Sequence, residues 1–302
     1  MTHHDNGKIN IIFNEQKRQI NTKHSAYILK HNRELKLIDK QFSSFVGLEH
    51  FKEIIKEIYA TKLMNHKREE MGLTINKQVL HMIFKGNPGT GKTTIARELA
   101  NVLFKLNILS KGHFIEAERA DLVGEYIGQT AQKTRNLVQK ALGGILFIDE
   151  AYSLARGGHK DFGRESIDTL VKQMEDHHDD FILILAGYPA EMEQFLSLNP
   201  GLKSRFPFHI PFPDYKLDQL IDIAIQIANE REYEISEKAL WKLRSHLREK
   251  LHNKVSHFAN ARYVRNIIEK SIRMQAIRLL QVNEYTIKEL MQLKADDIQF
   301  EQ

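Results

Sequence analysis

The sequence contains no cysteine. Disulfide frameworks, thiol nucleophiles and cysteine-based zinc sites are thereby excluded. It also lacks any uninterrupted run of 18 or more apolar residues, so no membrane-crossing helix is predicted. Residues 1–10 have no charged stretch followed by an apolar one, and no secretory signal is expected there. Internal repeats and low-complexity segments are missing, and so is any long basic run. Lys and Arg alternate with Asp and Glu, leaving a net charge of only +5. A basic balance of this size reads as an ordinary solvated surface rather than a nucleic-acid footprint. The 15 histidines are scattered without ligand spacing such as HExxH. What remains is a chain of 302 residues, 42% hydrophobic and 27% charged. That is ample to bury a core and suits about two domains. The expected location is cytoplasmic.

One stretch carries chemistry by itself. Residues 81–94 read HMIFKGNPGTGKTT, a short apolar run that breaks into glycines and then into Lys92-Thr93-Thr94. Gly86, Gly91, Lys92 and Thr93 stand at G-x-x-x-x-G-K-[ST] spacing, the phosphate-binding P-loop. Gly86, Gly89 and Gly91 permit a tight turn with successive N–H groups pointing inward at phosphate oxygens. Asn87, Pro88 and Thr90 complete the loop. Lys92 supplies a fixed positive charge for the β- and γ-phosphates, and the Thr93 hydroxyl is placed for Mg²⁺. Thr94 opens a helical pattern whose positive end adds to anion binding. A chance match in a chain this long is expected on the order of 0.01 times. ATP and Mg²⁺ are therefore the expected ligands, and no other metal site is predicted.

A second signal stands 57 residues after Lys92. Gly143-Gly144 leads into four apolar residues and then Asp149-Glu150. The run fits a strand buried on both faces of a parallel sheet. An acidic pair at the carboxyl end of such a strand lies where open α/β sheets bind ligands. Asp149 would hold Mg²⁺ through water, and Glu150 would polarise the attacking water.

Taken in order, residues 1–41 are polar and read as an N-terminal extension, partly helical and loosely attached. From Phe42 the texture changes. Phe51, Ile54, Ile55, Ile58 and Tyr59 share one helical face. Val46-Gly47-Leu48 ahead of it suits a helix-starting turn, with contact to an adenine ring as the alternative. A strand is expected at 114–118, then a polar loop with Glu125-Tyr126-Ile127-Gly128 at its tip. Tyr126 and Ile127 either fold back into the core or contact something else. Thr130 is the expected cap of a helix over 131–142. A helix with Ile167, Leu170, Val171 and Met174 on one stripe precedes a buried strand ending at Tyr188. Arg205 precedes a last strand near residues 209–212. This alternation predicts a doubly wound parallel sheet of about five strands over 42–213. Past Pro213 only helical patterns follow, near 215–230, 236–252, 260–280 and 286–293, with a capping box at Thr286 and Glu289. These make a second, all-α domain over 214–302.

With the P-loop, the acidic strand end, Arg205 and a helical lid in this order, the chain resembles the AAA+ ATPases over roughly residues 42–300. Within them it is most similar to the CbxX/CfxQ family. The stretches GNPGTGKTT, DLVGEYIGQTAQKT, GGILFIDEAYSLA, ILAGYP, NPGLKSRF and NARYVRNIIEKSIRMQAIRL carry the likeness. The resemblance implies a P-loop α/β module with a helical lid, an ATP hydrolase, and a ring, hexameric in the family's manner, that acts on a protein client. It places Val46 and Gly47 against adenine. It makes Tyr126, Ile127 and Gly128 a pore loop that grips a threaded polypeptide, and Arg205 an arginine finger reaching the neighbour's γ-phosphate. Arg262, with Arg265 as runner-up, becomes the lid's phosphate sensor. Many relatives carry Asn at the end of the fourth strand, where this chain has Tyr188, so no residue is assigned that sensing role. The wording of the motifs is nearer the branch acting in spore maturation than the branch acting on rubisco. An aromatic–aliphatic pore tip also argues against a nucleic-acid motor, whose tracking loops more often carry Lys or Arg.

Overall fold

A computed structural model describes residues 33–300 except 44, 76, 77, 127, 157–161, 254–257 and 283. Five short strands form one parallel sheet: β1 (Met82–Gly86), β2 (Phe114–Ala117), β3 (Ile145–Ile148), β4 (Ile182–Gly187) and β5 (Phe208–Phe212). Their order is β2-β3-β4-β1-β5. In register, Met82 faces Ile184 on one side and Phe208 on the other. Every residue of β3 and β4 is buried, as a sheet covered on both faces requires.

Alternation along the strands sends side chains to two separate apolar layers. Met82, Phe84, Phe147 and Ile184 pack with the first helices of the chain, while Ile83, Leu146, Ile148 and Leu185 pack on the opposite face. The first layer is built by α1 (Arg33–Gln41), α2 (Glu49–Glu70) and α3 (Lys92–Lys105). The second is built by α5 (Gln129–Ala141), which follows the short α4 (Arg119–Leu122), by α6 (Gly163–Asp176) and by α7 (Pro189–Leu198). Phe84 is fully buried between α2 and the sheet, so truncation to Ala should cost about 3–5 kcal/mol.

Helix α1 qualifies the expectation of a loose extension before residue 42. Its Leu35 and Ile38, with Phe42, lie inside the first layer, and Phe42 meets Phe51 edge to face at 5.3 Å. The apolar triplet is spaced at one helical face, which the surrounding Lys, Glu and Asn concealed. Residues 1–32 lie outside the described set.

A four-residue helix, α8 (Pro200–Lys203), precedes β5. Beyond β5 come α9 (Leu217–Asn229), α10 (Glu237–His252) and α11 (Asn260–Leu279), which bury Leu220, Ala224, Leu243, Val264 and Ile268 in a third core. Ser236 caps α10 with its hydroxyl. The Thr286–Glu289 capping box is present at the start of α12 (Ile287–Met291). That helix is shorter than expected. Gln292–Leu293 forms a strand, β7, paired in parallel with β6 (Glu234–Ile235). Leu293 is buried, and Gln275 and Arg278 donate to the Gln292 carbonyl. Tertiary partners thus overrule the local helical preference.

Candidate functional site

The carboxyl ends of β1, β3 and β4 lie side by side, and their three loops form one cleft. β1 lies between β4 and β5, and the chain leaves it over two strands to reach β2. Such a switch point is where a parallel sheet opens a crevice. A cavity of about 260 Å³ there is lined by Gly89 from β1's loop, Lys92, Thr93 and Thr94 from the start of α3, and Asp149 and Glu150 from β3's loop. Tyr188 from β4's loop and Ala261, Arg262 and Arg265 from the start of α11 line it too.

Gly91 adopts φ of 92° and stands at the N-cap of α3, a conformation that costs an L side chain about 1–2 kcal/mol. The Lys92 ammonium is buried. It donates to the carbonyls of Gly86 at 2.7 Å and Asn87 at 2.9 Å. The Thr90 hydroxyl donates to the same Asn87 carbonyl at 2.8 Å. Burial pushes the Lys92 pKa below the ordinary lysine value. Asp149 and Glu150 oppose that, while the nearby Arg262 adds to it. An ammonium in this position gains from an incoming anion, which replaces the hydration it has lost.

Asp149 accepts the Glu150 N–H at 2.9 Å, which fixes one carboxylate oxygen. Glu150 itself is exposed and has φ of 45°. A left-handed non-glycine residue is uncommon, and such strain collects at functional positions. Here it turns the chain from β3 into a tight 3₁₀ turn, Ala151–Ala155, closed by Ser153 N–H to the Glu150 carbonyl at 2.7 Å. Behind it the Tyr152 ring stacks on Tyr188 with centroids 5.8 Å apart. Burial, with Glu150 second, pushes the Tyr152 hydroxyl up to about 12. Tyr152 is thus a neutral buttress, and Tyr188 is the residue of the pair that reaches the cleft.

The residues present suit a phosphate ester with a hard divalent cation. The described residues contain no group of three or more His, Cys, Asp or Glu able to hold a metal alone. Thr93, Thr94, Asp149 and Glu150 supply the side-chain hydroxyl and carboxylate oxygens of the cleft, beside the Tyr188 hydroxyl. Such an oxygen set matches Mg²⁺, which keeps several waters and shares substrate phosphates.

Other expected site residues lie elsewhere. Val46 and Gly47 do not line the cavity; Gly47 abuts the Gln219 amide of α9, against the lid. Arg205 stands three residues before β5, at the amino end of the sheet and away from the cleft. It pairs with Glu175 of α6 and donates to the Gly201 carbonyl. Tyr126 is 68% exposed at its loop tip, so it does not fold back into the core. Gly128 follows with φ of 84° as the N-cap of α5. Ile127 lies outside the described residues. Thr130 is not the cap of α5. It sits within the first turn, fully buried, and its hydroxyl accepts the Gly124 N–H at 2.9 Å, tying down the base of the loop.

Three residues that sequence reasoning passed over complete the site. Asp214, Tyr215 and Asn260 bind the P-loop from behind through side-chain hydrogen bonds. No motif spacing announces them, because their partners are up to 172 positions away.

Comparison with known proteins agrees with this geometry. The family described as "ATPase family associated with various cellular activities (AAA)" matches residues 82–214, and an AAA lid domain matches residues 216–302. Stage V sporulation protein K of Bacillus subtilis (strain 168) is 57% identical over 99% of this chain and 95% of its own length. A chloroplastic ribulose bisphosphate carboxylase/oxygenase activase of Cyanidioschyzon merolae is 40% identical over 87% of this chain and 90% of its own. Among solved structures, the FIGL-1 AAA domain in complex with ADP superposes with a TM-score of 0.54 at 19% identity. It covers 83% of this chain and 79% of that one. That likeness speaks to the fold alone.

Proposed function

The chain belongs to the AAA ATPases, of the CbxX/CfxQ type, and on that premise we propose that it is a Mg²⁺-dependent, ring-forming remodeller of a protein client in spore maturation. Its family membership makes it an ATP hydrolase. The observation that carries the assignment of residues is the meeting of Lys92, Thr93, Asp149, Glu150 and Arg262 around one cleft. In this reading the P-loop, Gly86 to Thr94, wraps the phosphates and Lys92 neutralises them. Thr93 and Asp149 hold Mg²⁺, which when bound draws charge from the phosphate oxygens. Glu150 orients and polarises the attacking water. Arg262, with Arg265 beside it, presents lid charge to the phosphates. Val46 and Gly47 meet the adenine once the lid closes on nucleotide, and Gly47 already lies against that lid. The working units are the nucleotide-binding domain over 42–213, with α1 at the end of the 1–41 extension packed into its first layer, and the lid over 214–302.

Arg205 supports the ring. It is too far round the sheet to serve its own cleft, whereas a neighbour's γ-phosphate is the natural target of a cation presented on that edge. A hexamer follows from the family's habit. Tyr126 supports a polypeptide client: an exposed aromatic at a loop tip is disfavoured unless it has something to grip. The sporulation role follows from the relative that matches almost the full chain. The described residues include no helix long and apolar enough to cross a membrane, in keeping with cytoplasmic work.

A trap tests the proposal. Glu150→Gln should bind ATP yet hydrolyse it slowly, by about 10²–10⁴-fold, and so hold its client. Recovered from the source cells with ATP, it should carry a sporulation-stage protein. Recovery of rubisco would move the chain to the activase branch, and recovery of nucleic acid without polypeptide would overturn remodelling. Wild-type turnover by Glu150→Gln would refute the role of Glu150.

A further inference from the structure

The lid and the segment leading into it hold the back of the P-loop. Asn260, the first residue of α11, is wholly buried. Its amide nitrogen shares its two hydrogens among Asp214 Oδ1 at 2.8 Å, the Phe258 carbonyl at 3.1 Å and the Pro88 carbonyl at 3.2 Å. Its amide oxygen accepts the Tyr215 N–H at 3.0 Å. The next residue, Ala261, donates its N–H to the Gly89 carbonyl at 3.1 Å. The Tyr215 hydroxyl donates to the Thr90 carbonyl at 3.1 Å. Asp214 accepts the Asn87 amide at 3.0 Å on both carboxylate oxygens. Four successive P-loop residues, 87 to 90, are therefore bonded to the lid or to the segment that leads into it.

The consequence for the phosphate side follows from peptide geometry. In a trans peptide the carbonyl of one residue and the N–H of the next point in opposite directions. With the carbonyls of Pro88, Gly89 and Thr90 fixed toward the lid, the N–H groups of Gly89, Thr90 and Gly91 are fixed the other way. Those are the groups a phosphate needs. Two further observations show how tightly this is held. Asn260 is kept at φ of 46°, a strained conformation that persists only where surroundings over-determine it. A Cβ on Gly89 would lie 2.1 Å from the Ala259 carbonyl and 2.9 Å from the Arg262 nitrogen. The lid backbone presses directly on the loop.

We propose that Asn260, seconded by Tyr215, is a positioning residue for nucleotide binding: it joins lid and P-loop into one piece and aims the loop's N–H groups at the phosphates. The proposal rests on reading the cleft as the ATP site. Because Arg262 and Arg265 follow within two turns of the same helix, the link also sets where the lid's cations stand. The inference differs from a sensor role, since Asn260 acts through the loop's backbone.

Three variants test it, with a fluorescent ATP analogue titrated under equilibrium conditions and turnover measured alongside. Asn260→Gly keeps the left-handed backbone free of strain and deletes only the amide. It should weaken binding and raise KM by about 10–100-fold, the range for an orphaned buried polar partner. The loss should fall chiefly on KM, with kcat at saturating ATP lowered by a smaller factor because Arg262 and Arg265 move with the link. Tyr215→Phe removes a single hydroxyl and should act in the same direction, by about 3–10-fold. Lys92→Met is the control on the site itself. Loss of binding in Lys92→Met with wild-type affinity in both other variants would overturn this inference and leave the site reading standing. Wild-type affinity in Lys92→Met would overturn the site reading. A purely structural Asn260 would lower the melting temperature and leave the affinity of the folded fraction unchanged, which also counts against the proposal. If Asn260→Gly does not fold, Tyr215→Phe decides alone.

Discussion

Replacing Lys92 by Met tests the site through stability rather than turnover. Lys92 as a residue is 8% exposed, and its ammonium is held by two carbonyls. Its pKa lies below the usual 10.5, with burial as the main cause. The unfolded chain therefore binds more protons than the folded one between those values. This group subtracts stability at neutral pH, and the loss is recovered as pH rises toward 10.5. Met removes that burden and fills most of the same space. Against this, the Gly86 carbonyl loses its donor, a penalty of about 1–3 kcal/mol. Asn87 keeps the Thr90 hydroxyl. The two effects oppose, so nucleotide-free stability should change by less than about 2 kcal/mol.

With MgATP the balance differs. Two charged hydrogen bonds to phosphate, each worth about 1.5–3 kcal/mol, are lost together, which weakens binding by about 10²–10⁴-fold. At a ligand concentration 100 times the wild-type Kd, linkage stabilises the wild type by about 2.7 kcal/mol. The variant keeps at most about 0.4 kcal/mol at the same concentration. In melting temperature, the ATP-induced shift should fall from about 4 °C to under about 1 °C. Thermal denaturation at one fixed protein concentration, with and without MgATP, reads both numbers. An unchanged ATP shift would refute the assignment of Lys92 to the phosphates. A collapse of the nucleotide-free protein would refute the claim that burial of the ammonium offsets its hydrogen bonds.

Further outcomes follow from other parts of the structure. ATPase rate per subunit should rise more steeply than linearly with protein concentration, and Arg205→Ala should lower it by about 10³-fold or more; a concentration-independent wild-type rate would sink the trans role. Glu175→Gln, which frees Arg205 from its partner within the chain, should lower the protein concentration giving half-maximal rate. His81 is fully buried with its pKa lowered to about 4, chiefly by burial. Its contribution is complete above pH 6.5 and drains away as pH falls toward 4, so about 2 kcal/mol should vanish between pH 7 and pH 5. His81→Gln, which keeps an acceptor for the Leu183 N–H, should flatten that acid limb in urea unfolding; identical limbs would rule His81 out. Tyr126→Ala in a Glu150→Gln background should still assemble with ATP but release its client, and undiminished client capture would remove the pore-loop reading.

What could be read from the sequence was what repeats with a short period or sits at fixed short spacing. Four apolar residues before Asp149 announce β3, because a strand buried on both faces needs no alternation. The stripe Ile167, Leu170 and Met174 announces α6, and Thr286 with Glu289 announces its capping box. The partner of a long-range hydrogen bond has no such local trace. Asn260 reads as a helix-starting residue, yet its amide is spent on Pro88 and Asp214, far away in sequence. Thr130 reads as a cap for the same local reason, and the Gly124 N–H takes its oxygen instead. Gln292–Leu293 continues a helical pattern until β6 offers it a ladder. Gly89 stands between the two kinds of information. Its place in the P-loop motif is legible as a turn, but φ of 70° explains only half of the demand for glycine there. The other half is the Ala259 carbonyl, brought against it by a domain that begins more than a hundred residues later. A motif defined by its phosphate ligand is thus also shaped from the opposite side by the lid, and only the folded chain displays that constraint.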